Sequence, residues 1–391
     1  MNVALCSTIG QPRIAVVGGS LTGPVAALLL LQAGFDDVAV YEAAPAAVPR
    51  GGGLIGVEHC SLDILERLGI EQSELVAYPS ELIVRMSVQD RCPANAVTYV
   101  YPGRNTTWTL LHQAVTCRLP RRIVHTGHQV TGMDEVARRP MLHFANGQQA
   151  AADVVVFADG RASIGRRLLD PGRRLRYAGY VAHRGTAAAG DVQQPDFLRM
   201  EPCPGVQFNI APVPEGLDWT FYLNASVQEY VDWFGALPHQ RLFALPQHVS
   251  ERARAAVDAH AAVLLPPQQA ALVEATTVRM AVPVMDIDPP RQMVWPVGDG
   301  HAVLLGDALA PVRPHTARGA NNGIEQAAGL AVALRQHHRY GADLAGALNG
   351  WQRRHLPAAV AAVRLGPVIG GRLGLGTGTA GWMCDTARAA V

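Results

Sequence analysis

The chain has 391 residues, more than one compact core usually holds, so two domains are the starting expectation. It is 49% hydrophobic and 17% charged, which excludes a disordered chain, and a formal net charge of +1 leaves no basic surplus to drive nucleic-acid or anionic-membrane binding. The opening MNVALCSTIGQPR has no basic stretch followed by a long apolar run, and Val25 to Leu31 is far shorter than the ~20 residues of a bilayer span. We therefore expect no signal peptide and no membrane helix. The six cysteines (Cys6, Cys60, Cys92, Cys117, Cys203, Cys384) are scattered without a C-x-x-C pair, which fits a reduced cytoplasmic protein with free thiols.

In chain order, Arg13 to Val17 is an apolar run bounded by glycine and reads as a buried strand. GGSLTG, Gly18 to Gly23, is a tight turn; Pro24 opens an apolar helix to Ala33, and Val38 to Tyr41 is a second strand ended by Glu42. This is a βαβ unit with a dinucleotide fingerprint, with Ser20 in place of its middle glycine. Gly18 permits the sharp turn off the strand. Gly19, the small Ser20, Leu21 and Thr22 complete a loop that a pyrophosphate can approach, and Gly23 lets the helix pack close to the sheet. The helix N-terminus offers free N–H groups and the positive end of its dipole. Glu42 lies 24 residues after Gly18, near the roughly 20 expected for a ribose-binding carboxylate. An acid there suits a free 2′-hydroxyl, so the site should hold the ADP half of FAD or NAD.

AAPAAVPRGGGLIG follows, a loop whose three glycines, Gly51 to Gly53, suit backbone lying against a flat or charged group. Arg50 at its lip is either a cofactor contact or a solvated charge. His59 to Leu68 reads as a helix, Glu81 to Tyr101 as two antiparallel strands, Trp108 to Leu119 as a helix and Ile123 to Val130 as a strand. Val130 either touches an adenine or fills the core. Met141 to Phe144 and Gln149 to Ala152 form a hairpin about Asn146-Gly147. DVVVFADG ends a buried strand in Asp159-Gly160, with Ser163 and Arg166 on the helical turn after it.

Tyr177 to Val284 changes character, with YAGYVAHRG, short strands and an alanine-rich helical stretch, and reads as a separate α+β lobe. Its mixed aromatic and aliphatic strands suggest a pocket for an apolar ring; Phe208, Trp219 and Phe221 read as core more than as binding wall. VLLGD brings a strand to Gly306-Asp307. After a loop with Pro311, Pro314 and His315, a helix starts at Gly319, Ala320, Asn321 and Asn322. A last amphipathic helix, Leu348 to Val363, should break near Pro357, and the glycine-rich tail should be loosely held. No His, Cys and carboxylate cluster stands at metal-ligand spacing, so no metal is expected.

Three separated motifs stand in one order: GGSLTG with Glu42, DVVVFADGRAS, and VLLGDALAPVRPHTARGANNGIEQA. Together they resemble the flavin-dependent aromatic hydroxylases of the p-hydroxybenzoate-hydroxylase type. YAGYVAHRG and RPHTARGANNG look most like the 2,6-dihydroxypyridine-hydroxylase branch. The resemblance spans roughly residues 13 to 357.

It implies an α/β fold: a Rossmann-like FAD-binding domain with an inserted α+β substrate domain and C-terminal helices. The expected division is 1–80, 105–176 and 285–345 for the FAD-binding domain, 81–104 and 177–284 for the substrate domain, and 346–391 for the helical end. It also implies that Asp159-Gly160 lies near the FAD pyrophosphate and that Asp307 meets the ribityl hydroxyls. The first turn of the helix from Gly319 would face the N1–C2 edge of the flavin, where reduced flavin is negative. Two departures stand out: Trp108 where such enzymes often carry arginine, and His183 where tryptophan is common.

The activity implied is an FAD-dependent monooxygenase. NADH or NADPH reduces the flavin, O2 adds at C4a, and the hydroperoxide hydroxylates an electron-rich aromatic or N-heteroaromatic small molecule. His315, near pKa 6.5 if unperturbed, could deprotonate a substrate hydroxyl or serve only as a wall. Epoxidation or Baeyer–Villiger insertion on the same fold, in secondary metabolism, is the first alternative. An NAD-dependent dehydrogenase or a non-catalytic FAD-binding protein is the second. A halogenase would want a W-x-W-x-I-P stretch, which is missing. Monomer and homodimer are both open.

Overall fold

The computed structural model describes residues 11–45, 52–76, 80–188, 196–214 and 216–376. Two sheets organise it. The first has six strands in the order Val294–Val297, Gly300–Leu304, Val154–Phe157, Ile14–Val17, Val38–Glu42, Val124–Thr126. All neighbouring pairs are parallel except the first. The central strand is buried along its whole length, as an unbroken apolar run demands when helices cover both faces.

Strand order reverses on either side of Ile14–Val17, which pairs with Val38–Glu42 on one side and Val154–Phe157 on the other. Such a switch leaves a crevice beyond the carboxyl ends of the strands. Gly18, Glu42, Asp159 and Gly306 all lie at or just past those ends, so three distant segments meet at one edge.

The second sheet has seven strands in the order Arg279–Asp286, Arg176–Ala187, Gly216–Asn224, Val206–Val213, Phe197–Glu201, Leu82–Gln89, Cys92–Val100. The strands near residues 81 to 101 therefore join the later lobe. One face is apolar: Met200, Phe208, Trp219 and Phe221 pack with Val257, Leu264 and Val273 of the helices Glu251–Leu264 and Pro267–Ala275. Phe208 lies edge-on to Phe221 at 5.5 Å, so these aromatics are core. The side chains between them point inward, toward the first sheet, by the two-residue period of a strand.

The helix from Thr22 to Gln32 starts two residues before Pro24, whose missing N–H still falls in the first turn, where none is needed. The last helix runs unbroken from Leu344 to Arg372 and contains both Pro357 and Pro367. Leu348, Trp351, Ala359, Val363 and Gly370 keep one stripe buried across both prolines, and that packing holds the helix together where two backbone bonds are missing. The tail is fixed as far as Gly376: Asn224 Nδ2 donates to Gly374 O at 2.9 Å, and Gly376 N donates to Asn224 Oδ1 at 2.8 Å. Cys60, Cys92 and Cys117 are free thiols, but Cys203 is disulfide-bonded, contrary to the expectation of free thiols throughout. No described helix is long and apolar enough to cross a membrane.

Candidate active site

The glycine turn is built by close approach. Gly18 has φ +109°, and a Cβ there would lie 2.5 Å from Ala158 O, so the first motif sits directly on the second. Gly19 N donates to Glu42 Oε2 at 2.6 Å, which brings the acid of the second strand to the glycine turn. Ser20 is half-exposed at the turn, whereas the Leu21 side chain is buried in the core and offers only its backbone. Thr22 faces the third motif: a Cβ on Gly306 would come 2.8 Å from Thr22 Oγ1.

The Asp159 carboxylate is spent locally. It accepts from Ser163 Oγ at 2.6 Å, Ile164 N at 2.6 Å and Gly165 N at 3.3 Å, tying the turn through Gly160 (φ +75°) to the helix Ile164–Leu169. Burial raises its pKa, and these bonds oppose the rise. Arg166, on that helix, is buried; its Nη1 donates to Asp307 O at 3.0 Å and Ala308 O at 2.9 Å, and its Nη2 donates to Arg161 O. One guanidinium thus joins the second and third motifs. The sequence showed its place on the turn but not this reach of about 140 residues.

Asp307 follows the sheet edge, its carboxyl pushed upward by burial and held down by Arg161 and Arg166. A Cβ on Gly319 would lie 3.7 Å from Asp307 Oδ1, so the acid stands beside the first turn of the helix Gly319–Tyr340, which also carries half-buried Ala320. Neither asparagine caps that helix. Asn321 accepts from Glu58 N at 2.9 Å and donates to Gly56 O at 3.1 Å, fastening the strand Leu54–Glu58. Asn322 Oδ1 takes Arg318, while its Nδ2 is buried with no partner among the described residues. Val130 is core, in register with Phe144. Arg50 lies outside the described residues.

These features fit FAD: a glycine turn with a carboxylate on one of its N–H groups, a second acid, Asp307, at the same sheet edge, and an orphaned amide donor at a helix start. A small cleft of about 120 Å³, partly open to solvent, lies between the start of the helix Trp108–Thr116 and the inner face of the second sheet. Thr107, Leu110, Thr186, Asp218 and Met280 line it. Trp108 stacks on His112 at 4.5 Å, and a Cβ on Gly52 would lie 2.6 Å from the Trp108 Cβ, so an indole fills the place of the missing arginine.

The inner face is mixed, with Ile83, Phe197, Ala182 and Ala211 beside polar groups. Arg184, Asp218, Thr220 and Tyr222 alternate with the apolar core residues along their strands. Asp218 accepts from Leu54 N and Thr186 Oγ1, each at 3.2 Å, and burial lifts its pKa to about 6 despite Arg184 nearby. His315 sits on the short turn Pro314–Thr316, its Nε2 3.1 Å from Tyr180 Oη and its ring 4.6 Å from that of Tyr222. Burial, then Arg199 and Arg313, lower its pKa to about 3, so the ordinary value near 6.5 does not apply. His183 points to the opposite face, 5.6 Å from the Trp233 ring, where the two-residue period turns it away from the cleft. Glu58, Cys60 and Glu325 do come together, but on Arg318, whose guanidinium already supplies the positive charge.

No family model matches the chain. It is 30% identical over 364 residues to 6-hydroxynicotinate 3-monooxygenase of Pseudomonas fluorescens, covering 86% of each. The chain belongs to the flavin-dependent aromatic hydroxylases. Another such hydroxylase, 2,6-dihydroxypyridine 3-monooxygenase of Paenarthrobacter nicotinovorans, is 28% identical over 369 residues, covering 88% of this chain and 87% of the relative. The solved 2,6-dihydroxypyridine-3-hydroxylase from Arthrobacter nicotinovorans superposes with a TM-score of 0.82 at 25% identity, over 94% of this chain and 93% of that one. As a member of these hydroxylases the chain is an FAD-dependent monooxygenase that takes its electrons from NAD(P)H, and the dehydrogenase and binding-module readings fall away.

Proposed function

We propose that this hydroxylase places an OH group on a small hydroxylated N-heteroaromatic or aromatic ring, held between the inner face of the seven-stranded sheet and the crevice of the nucleotide domain. The observation that carries this reading is the meeting of His315, Tyr180 and Tyr222 with a mixed sheet face. Two stacked aromatics suit a flat ring, and the polar groups suit its hydroxyls and ring nitrogen. The relatives that act on hydroxynicotinate and dihydroxypyridine support the same class.

Gly18 to Gly23 and Glu42 would hold the ADP half of FAD, and Asp307 and Asn322 the ribityl and ring end. When bound, FAD supplies hydride acceptance from NAD(P)H and activation of O2. The chain's own residues orient the ring, exclude water and place protons. The neutral His315 imidazole is hydrogen-bonded through Nε2 to Tyr180 Oη, and its other nitrogen can offer or accept a hydrogen bond at a substrate hydroxyl. Full proton abstraction would create an imidazolium where burial, Arg199 and Arg313 all oppose it. His315 is therefore a hydrogen-bonding residue at all ordinary pH values.

The test is a purified protein assayed for bound flavin and for NADH and NADPH oxidation with a panel of phenols and hydroxypyridines, hydrogen peroxide being followed to detect uncoupling. A yellow protein whose reductant use is coupled to ring hydroxylation, and whose flavin is lost in Asp307→Ala, is expected. A flavin-loaded protein that hydroxylates no ring of the panel and whose spectrum none perturbs would sink the reading.

A further inference from the structure

The loop before the helix Gly319–Tyr340 carries Arg313, Pro314 and His315 in succession. Arg313 is buried and ties three elements together. Its Nε donates to Asp286 Oδ1 at 2.7 Å and its Nη2 to Asp286 Oδ2 at 2.6 Å, a bidentate pair that fastens the edge strand of the seven-stranded sheet to the loop. The last helix admits the side chain through two glycines: a Cβ on Gly366 would lie 2.9 Å from the Arg313 Cβ, and a Cβ on Gly370 would collide with Nη1. So held, the guanidinium lies 5.3 Å from the centre of the Tyr180 ring.

Tyr180 is fully buried, and its hydroxyl meets His315 Nε2 at 3.1 Å. The direction of that bond decides what His315 shows to a substrate. Burial and the charges of Arg199 and Arg313 keep the imidazole neutral, so one ring nitrogen is protonated and the other is bare. If Nε2 carried the proton, the Tyr180 hydroxyl would accept, and its own proton would need a second acceptor. Among the described residues Tyr180 Oη bonds to no other acceptor, and the guanidinium over its ring only donates. A buried hydroxyl proton without an acceptor is costly, so the hydroxyl donates to a bare Nε2 and the imidazole proton sits on Nδ1. Nδ1 makes no hydrogen bond among the described residues, yet it is not sealed from solvent, so a ligand can reach it. The ring cannot exchange its two nitrogens without losing the Tyr180 bond, and it stands 5.8 Å from the Tyr180 ring and 4.6 Å from that of Tyr222.

We propose that Tyr180 is a positioning residue that fixes His315 as the Nδ1–H tautomer, with Arg313 and Asp286 holding Tyr180 in place. His315 then meets the substrate as a donor only. This rests on the aromatic-ring reading above and narrows it: the substrate oxygen at His315 is an acceptor, either a phenolate or the carbonyl form of a hydroxypyridine. The proton of a neutral phenol leaves to solvent on binding, not to His315.

The test uses the FAD-loaded protein labelled with 15N-histidine, the His315 signals being identified by their loss in His315→Gln. Nitrogen NMR should show a protonated Nδ1 and a bare Nε2 between pH 6 and pH 8. Tyr180→Phe removes the hydroxyl but keeps the ring and both guanidinium charges, and it should move His315 to the other tautomer or to a mixture. The probe 4-nitrophenol, whose absorption reports its own ionisation, should ionise about one pH unit lower when bound to the wild type than when free. Tyr180→Phe should lose half or more of that shift, a loss that the unchanged charges of Arg199 and Arg313 do not explain. A wild-type His315 protonated at Nε2 would overturn the proposal and leave the aromatic-ring reading intact, as would a Tyr180→Phe protein with unaltered His315 signals and probe ionisation. A flavin-loaded protein whose spectrum neither 4-nitrophenol nor any other phenol or hydroxypyridine perturbs would overturn both.

Discussion

A Cβ on Gly323 would lie 2.5 Å from Thr22 Oγ1, so the helix of the first motif and the helix of the third are in contact through one hydroxyl. The same hydroxyl stands 2.8 Å from a Cβ built on Gly306. Two glycines nearly 300 residues along the chain are thereby required by one threonine.

Gly323→Ala should cost about 2 kcal/mol through overpacking, and Thr22→Ala in the same chain should recover most of that loss. Thermal melts of the two single variants and the double variant measure the coupling. Strictly additive costs would show that the two helices do not press on each other here.

Arg166→Met should destabilise the protein by about 3 kcal/mol and weaken flavin retention, because three backbone carbonyls lose a buried donor. Arg167→Met, one residue on and exposed, should change neither. Comparable melting of both variants would mean that the guanidinium is not what ties the Asp-Gly and Gly-Asp segments together.

His183 is buried as the neutral imidazole, its pKa pushed down to about 3 by burial and then by His260 and Arg279. An unfolded histidine takes its proton near pH 6.5, so the unfolded state binds more protons in the window between. The sign follows: stability falls as pH drops below 6.5, by up to about 2 kcal/mol at pH 5 from this residue alone. Chemical denaturation of His183→Leu against the wild type at pH 8 and pH 5 should show the wild type losing more. Parallel losses would place the histidine in a wetter setting than the face it shares with Trp233.

Asp218 gives the opposite slope. Its carboxyl, raised to about 6 in the fold and near 3.8 in the unfolded chain, holds its proton longer when folded. The folded state is favoured below about pH 4, and that advantage is lost as pH rises to 6. Relative to Asp218→Asn, the wild type should gain about 2 kcal/mol between pH 6.5 and pH 4. A flat difference across that range would mean that Arg184 and the bonds from Leu54 and Thr186 overcome burial.

The nucleotide half was legible because its signals are local. Gly18, Gly23 and Glu42 fall within one βαβ unit, and strand, turn, helix and acid each announce themselves by type and spacing. The substrate half was less so. The sequence shows that Phe208, Trp219 and Phe221 alternate with polar residues, but not which side faces the cleft. That depends on the helices Glu251–Leu264 and Pro267–Ala275 covering one face, a contact between distant segments. For the same reason His183 stood out only as a departure from the usual tryptophan, when it lies on the covered side. The burial that lowers the pKa of His315 is also a product of the assembled lobes, so the residue could be found but its protonation could not.

The in-and-out alternation of the strand Gly216–Asn224 has an evolutionary reading. On Gly216–Asn224 the odd positions 217, 219, 221 and 223 hold the scaffold, while 218, 220, 222 and 224 face inward. Mutation can wander over the inward register, trading one ring for another, while the covered register keeps the fold intact. A lineage of catalysts could thus diversify its diet by changing every second letter of three or four short strands.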